Sequence, residues 1–309
     1  MKTENLRGIR YLIAGIGIFS CQDLILKLLS GNYPLHEAML VRSLAAIPCL
    51  LILAHYDGGL HRLHTRAWPK LTVRGLMNFA AYTSYYLALA ALPIATTMTL
   101  YFTAPLFIVL LSILFLGERV TPRRWLSLAL GFLGVLVIVR PGGTGFDWAM
   151  LLPVAAGGFY ALVQIITGRF GTTETAPVMS FYSNLVFLLG AVILSLIFGS
   201  GAFDRESNPS LAFLVRGWVW PAPLDLLGMM ACGAIAAVGL TLLTRAYQIG
   251  EANFVAPFEY TMLLWGLLFD WLFWHHWPDA TAWVGIAILV LAGVLLLARN
   301  RLPLQEPAE

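Results

Sequence analysis

Apolar residues follow one another along this chain in blocks of membrane-spanning length, broken by short polar connections. A helix needs about 20 mostly apolar residues to cross the hydrocarbon core of a bilayer. Ten segments meet that length: 9–30, 34–55, 72–92, 94–116, 122–140, 148–168, 176–198, 223–248, 252–274 and 279–298. Only the connections 56–71 and 199–222 are long enough to hold much structure of their own, so no separate soluble domain is expected. The pattern predicts an all-α integral membrane protein with ten transmembrane helices. Inside the blocks a few polar residues interrupt the pattern, most visibly in "FVAPFEYTMLLW" (254–265), which places Glu259 two residues after Pro257.

Composition supports the same environment. The 309 residues are 59% hydrophobic and 11% charged, against about 45–50% and about 25% in ordinary soluble domains. The net charge of +3 is too small, and the basic residues too dispersed, to suggest a nucleic-acid partner. Cys21, Cys49 and Cys232 lie in apolar runs without paired spacing, which argues for buried small hydrophobes over a disulfide or metal framework. The basic start "MKTENLRGIR" leads into an apolar run too long for a cleaved leader, and reads as the first crossing. With the N-terminus cytoplasmic, the inner segments hold thirteen Lys and Arg while the outer loops hold only Arg140, Arg205 and Arg216. The positive-inside rule then places both termini in the cytoplasm.

The two halves of the chain resemble each other. Sliding "LFLGERVTPRRW" (114–125) by 158 residues onto "LFWHHWPDATAW" (272–283) superposes Leu114 on Leu272, Phe115 on Phe273 and Trp125 on Trp283. Thr83 and Thr241, and Ala88 and Ala246, coincide at the same shift. The first segment carries Arg119, Arg123 and Arg124, and its twin carries no Lys or Arg. A five-helix repeat must enter the membrane upside down in its second copy, and this charge difference is what that requires. The expected units are residues 1–143 and 144–309, two inverted five-helix repeats.

The ordered segments "YYLALAALPIATT" (85–97), "APLFIVLLSILFLGERVTPRRW" (104–125), "GFLGVLVIVRPGG" (131–143), "GGFYALVQIITGR" (157–169), "TRAYQIGEANFVAPFEYTMLLWGLLF" (244–269) and "GIAILVLAGVLLL" (285–297) resemble the drug/metabolite transporter superfamily, specifically its ten-helix EamA-type members. The resemblance covers essentially the whole chain. It implies a central substrate cavity lined by the first, third, fourth, sixth, eighth and ninth helices. The fifth and tenth would be peripheral supports, with Gly131, Gly134 and Gly293 allowing close packing. Members that move S-adenosylmethionine or riboflavin share the Asp23…Lys27 pattern of the first helix and the Ala256-Pro257…Tyr260 pattern of the ninth; exporters of amino-acid-derived metabolites and metallophores have the same fold. The chain departs from the family where the Gly117-Glu118 pair would recur, since His275-His276 stands there. The resemblance implies a multi-pass transporter of the bacterial inner membrane, working as a monomer or homodimer without cofactor.

Charges within the crossings are costly and need partners or a watery cavity. Residue counts place Asp23 and Arg42 about 11–12 Å below the outer surface, and Lys27 and Glu37 about 4–5 Å below it. A two-rung ladder follows: Lys27 with Glu37 as a structural ion pair, and Asp23 with Arg42 as either a helix clamp or a site for a zwitterion. Glu259 lies about 10 Å above the cytoplasmic face and either pairs with Arg245 or faces the cavity, toward a cationic substrate group or a coupling proton. Pro257 loosens the backbone beside it. Tyr82, Tyr85, Tyr86, Tyr101, Tyr160, Gln164, Tyr260 and Trp265 complete the candidate path, because aromatic rings can stack on a ligand and phenols can still donate a hydrogen bond. The substrate-binding set is thus Asp23, Arg42, Tyr86, Tyr101, Tyr160, Gln164, Glu259, Tyr260 and Trp265. Adjacent His275 and His276 do not converge on a metal, and HExxH, GxSxG and Asp-rich signatures are absent. The reading is a secondary transporter of a small polar or amphiphilic metabolite by alternating access. The competing reading is a membrane enzyme or accessory subunit acting on a lipid-linked substrate.

Overall fold

A computed structural model of the chain describes residues 3–116, 122–139, 147–170, 174–204, 208–250, 258–259 and 261–297. They form twelve α-helices and two short 3-10 helices, Leu60–Leu63 and Trp148–Met150, with no strand among them: α1 (Thr3–Ser30), α2 (Leu35–Tyr56), α3 (Trp68–Ala91), α4 (Ile94–Tyr101), α5 (Ala104–Leu116), α6 (Pro122–Val139), α7 (Leu151–Phe170), α8 (Ala176–Phe198), α9 (Pro209–Val215), α10 (Pro223–Ile249), α11 (Thr261–Trp274) and α12 (Ala280–Leu297). Five stretches, Leu6–Ser30, Leu35–Tyr56, Trp148–Thr167, Ala176–Phe198 and Pro223–Ile249, are long and apolar enough to cross a membrane. α4–α5, α6, α11 and α12 contribute shorter apolar helices.

The packing is inverted relative to a soluble globule. Gln22, Asp23, Arg42, Arg74, Asn78, Glu259 and Asp270 are buried, whereas Leu114, Leu189, Leu196, Leu224 and Leu264 are exposed. An apolar exterior of that extent suits lipid. Partnerships between helices recur across the halves: α1 packs on α10 as α7 packs on α3, and α2 packs on α10 as α8 packs on α3. Two glycines 158 positions apart make equivalent close approaches. A Cβ on Gly75 of α3 would stand 2.7 Å from Cγ2 of Val186 on α8, and one on Gly233 of α10 would stand 2.5 Å from the Arg42 carbonyl oxygen on α2.

α6 and α12 pair at the periphery through glycine. A Cβ on Gly134 would lie 2.9 Å from Leu289 Cγ, and one on Gly285 would lie 2.3 Å from Ile138 Cγ1. Gly131 packs against Leu106, and the surroundings of Gly293 lie outside the described residues.

The segment expected as one helix over 94–116 is two helices. Pro105 has no N–H to donate to the Tyr101 carbonyl, so the helix cannot run on unbroken, and the chain turns at Phe102–Thr103 before α5 begins. The elbow between α3 and α4 is held from both sides. Lys27 Nζ of α1 donates to the carbonyls of Leu89, at 2.9 Å, and Leu92. Asp270 of α11 accepts from the backbone N–H groups of Ile94 at 3.0 Å and Ala95 at 2.6 Å. Helix ends leave such groups without intrahelical partners, and a cation at the C-terminus with an anion at the N-terminus also complements the helix dipoles.

This arrangement corrects the outer rung of the ladder. Lys27 is drawn to the end of α3 and lies over the Trp274 ring, 5.3 Å from its centroid. Glu37 turns the other way and accepts from the Val219 N–H at 3.1 Å, so the expected Lys27–Glu37 ion pair does not form.

Arg74, near the start of the 72–92 segment, is held within the bundle. It is 3% exposed, and neutral oxygens on three other helices accept from it. Its Nε donates to Thr167 Oγ1 of α7 at 2.8 Å, Nη1 to Ser183 Oγ at 2.9 Å and the Met179 carbonyl at 3.4 Å of α8, and Nη2 to Thr244 Oγ1 of α10 at 3.3 Å.

Candidate functional site

Between α1, α3, the α4–α5 break, α7, α10 and the start of α11 lies an internal chamber. Its walls are Ile16, Phe19, Ser20, Asp23, Ala81, Tyr82, Tyr85, Tyr101, Phe102, Tyr160, Leu243, Glu259 and Met262. Two carboxylates mark it. Asp23 Oδ2 accepts from the Tyr85 hydroxyl at 3.1 Å. Glu259 Oε1 accepts from the Tyr160 hydroxyl at 3.0 Å and from that of Tyr247. Both acids are buried, at 4% and 7% exposure, and neither forms an ion pair within the described residues.

A row of phenol rings joins the two acids. The Tyr85 and Tyr101 centroids are 5.3 Å apart with their planes near perpendicular, and those of Tyr101 and Tyr160 are 5.5 Å apart. These separations fit the tilted contacts that aromatic quadrupoles favour. Tyr101 holds the middle of the row because it is the last residue of α4, where the proline-induced break ends the helix. The same break brings the backbone against α7, where a Cβ on Gly157 would stand 3.1 Å from the Tyr101 carbonyl oxygen. The free volume is about 60 Å³. A water requires about 10–15 Å³ by this measure, and metabolite sites run about 300–1,000 Å³. The chamber is therefore too narrow for a metabolite as it stands.

Beside the chamber is a second polar group. Arg42 Nε donates to Gln22 Oε1 at 3.2 Å, and Gln22 Nε2 donates to the Tyr86 hydroxyl at 2.6 Å. The guanidinium lies over the Phe187 ring, 4.9 Å from its centroid, and Nη1 has no hydrogen-bond partner. The inner rung of the ladder is thus not a direct pair. Asp23 and Gln22 are neighbours on α1 and project about 100° apart on a helix of 3.6 residues per turn. Gln22 meets Arg42 while Asp23 turns to Tyr85.

Of the predicted substrate-binding set, Asp23, Tyr101, Tyr160 and Glu259 come together on the chamber wall. Arg42 and Tyr86 are buried beside it in the Gln22 network. Glu259 turns to its two phenols rather than to Arg245. Gln164, one turn beyond Tyr160, is not on the wall. Trp265 is not on the wall either: it stacks beside Phe269 at 6.0 Å, lies against Gly17 of α1 and is 37% exposed. Tyr260 and Pro257 lie outside the described residues. Sequence reasoning missed Gln22, Tyr247 and Asp270. Asp270 carried a usable signal, as the lone acid of "LLFDWLFW"; Tyr247 carried none beyond lying twelve residues before Glu259.

Comparisons with known proteins agree with this architecture. A crystal structure aligns over 96% of this chain and 96% of its own at a TM-score of 0.63 and 20% identity, which establishes likeness of fold. The chain is 34% identical to a riboflavin transporter of Rhizobium johnstonii over 76% of this chain and 71% of that protein. It is 30% identical to the pseudopaline exporter of Pseudomonas aeruginosa over 94% of this chain and 95% of the relative. An S-adenosylmethionine uptake transporter of Rickettsia bellii is 26% identical over 96% and 95%. The EamA-like transporter family profile matches residues 6–140. With relatives this similar along almost its whole length, all of them named as transporters and none as an enzyme, the chain belongs to the EamA-like transporter family of the drug/metabolite transporter superfamily.

Proposed function

We propose that this protein is a secondary transporter that moves a small polar or amphiphilic metabolite across the bacterial inner membrane by alternating access. In this reading the helices make ten crossings as two inverted five-helix repeats, residues 1–143 and 144–309, with both termini cytoplasmic. The recurring helix partnerships and the matched approaches at Gly75 and Gly233 support the repeat, and the distribution of Lys and Arg supports the orientation. One observation carries the functional reading: two buried carboxylates, Asp23 and Glu259, face a common internal chamber and have phenols, not cations, as partners. A structural charge in this position would be neutralised or saturated, whereas these leave capacity for cargo or for a coupling proton.

Uptake and counterflow in reconstituted vesicles test the reading, with S-adenosylmethionine, riboflavin, aromatic amino acids and opine-type metallophores as the panel. At least one compound is expected to move, and Glu259→Gln and Arg42→Ala are each expected to abolish its flux while leaving membrane insertion intact. No flux of any compound by well-folded protein, or full flux in both variants, would sink the assignment.

A further inference from the structure

The chamber's chemistry is one-sided. Its described wall carries Asp23 and Glu259 but no Lys, Arg or His. The rest of the wall is dominated by rings, those of Phe19, Tyr82, Tyr85, Tyr101, Phe102 and Tyr160. Arg42 is not among the wall residues: Gln22 and the Phe187 ring hold it beside the chamber, where it offers no contact at the wall.

We propose that the chamber selects organic cations, holding a sulfonium or alkylated-ammonium centre between Asp23 and Glu259 against the faces of the tyrosine row. The inference rests on the chamber being the transport site. Ring faces attract a cation lying within about 6 Å of their centroids, and the Tyr85–Tyr101–Tyr160 row supplies several such faces between the acids. An anionic cargo would meet two carboxyl groups with no counter-charge on the wall. A neutral cargo could stack on the rings, but would bring no counter-charge to either carboxylate. A diffuse onium charge satisfies rings and acids together. Glu259 is suited to the role because both phenols donate to Oε1, which fixes the carboxylate while leaving Oε2 free of them.

The test uses the full-length protein in lipid nanodiscs and ligand pairs of matched shape that differ in charge: S-adenosylmethionine against S-adenosylhomocysteine, and choline against 3,3-dimethylbutan-1-ol. Binding is read by thermal shift and tryptophan fluorescence. The charged member of at least one pair is expected to bind about tenfold or more tightly than its neutral twin. Glu259→Gln and Asp23→Asn should each erase most of that ratio, Tyr101→Leu should reduce it and Tyr101→Phe should keep it. The charge ratio is the deciding readout, since a merely structural role would weaken both members alike, and the Tyr101 variants decide the matter if a carboxylate variant fails to fold. Equal binding within both pairs, no binding of either pair, or an unchanged ratio in the variants would overturn the proposal. Riboflavin flux without a charge preference would overturn this inference alone, whereas the absence of any flux would overturn the transport reading beneath it.

Discussion

The Arg74 cage and the Asp23–Glu259 chamber both bury charge inside a lipid-facing bundle, and they handle it in opposite ways. Arg74 is wrapped by four neutral oxygens from α7, α8 and α10, so its guanidinium is largely used up in fastening those helices to α3. The two acids each receive phenol hydrogen bonds on one oxygen and adjoin free volume. A buried charge whose bonding is filled from within holds the frame; one left partly open can exchange its partner for something that arrives.

The sharpest way to break this contrast is Arg74→Leu. It removes four hydrogen bonds and takes the Arg74 partner from the hydroxyls of Ser183 and Thr244, while Thr167 keeps its bond to the Val163 carbonyl, at a cost of about 3 kcal/mol or more. The expected result is a large fall in melting temperature and in recoverable folded protein. Glu259→Gln, whose amide oxygen still accepts from both tyrosines, should stop flux with little thermal change. If Arg74→Leu melts like the parent while Glu259→Gln does not, the roles assigned to the two regions are reversed. Next in size is Gly285→Val, which forces side-chain atoms into Ile138 and the Gly134 backbone at the α6–α12 crossing. It should lower stability by about 1–3 kcal/mol and leave ligand affinity unchanged, because those helices stand away from the chamber. A changed affinity would show that the peripheral pair couples to the site. Smallest is Lys27→Met, which uncaps the Leu89 and Leu92 carbonyls and should cost about 1 kcal/mol. A loss of flux out of proportion to that figure would make the α3–α4 elbow part of the transport cycle.

Which residues enter the bundle was legible in the chain, because an apolar window announces a crossing and any charge within it stands out. The partners of those charges were not. Depth follows from counting residues along a helix, and it put Asp23 level with Arg42 and Lys27 level with Glu37; facing depends on the angle around the helix and on its neighbours. One step along α1 exchanges Asp23 for Gln22, and Gln22 is what Arg42 meets. Lys27 was claimed by carbonyls that no side-chain pattern advertises, those at the end of α3. Trp265 depends on the same angle: its position in the ninth segment suggested the chamber, while its ring lies against Gly17 and is not among the wall residues. Conversely, Glu259 was recognisable because the acid in an apolar run follows a proline closely, and the break at Phe102–Thr103 could have been read from Pro105.

The narrowness of the chamber bears on energetics as well as on shape. With about 60 Å³ free, admitting a metabolite requires prising apart tyrosine rings now in contact. That work is drawn from the cargo's own attraction for the acids and rings, so apparent affinity falls by the fraction of time the walls stand open. Weak equilibrium dissociation constants would thus accompany a well-matched ligand, and a substitution that wedges the rings apart would tighten binding while slowing turnover.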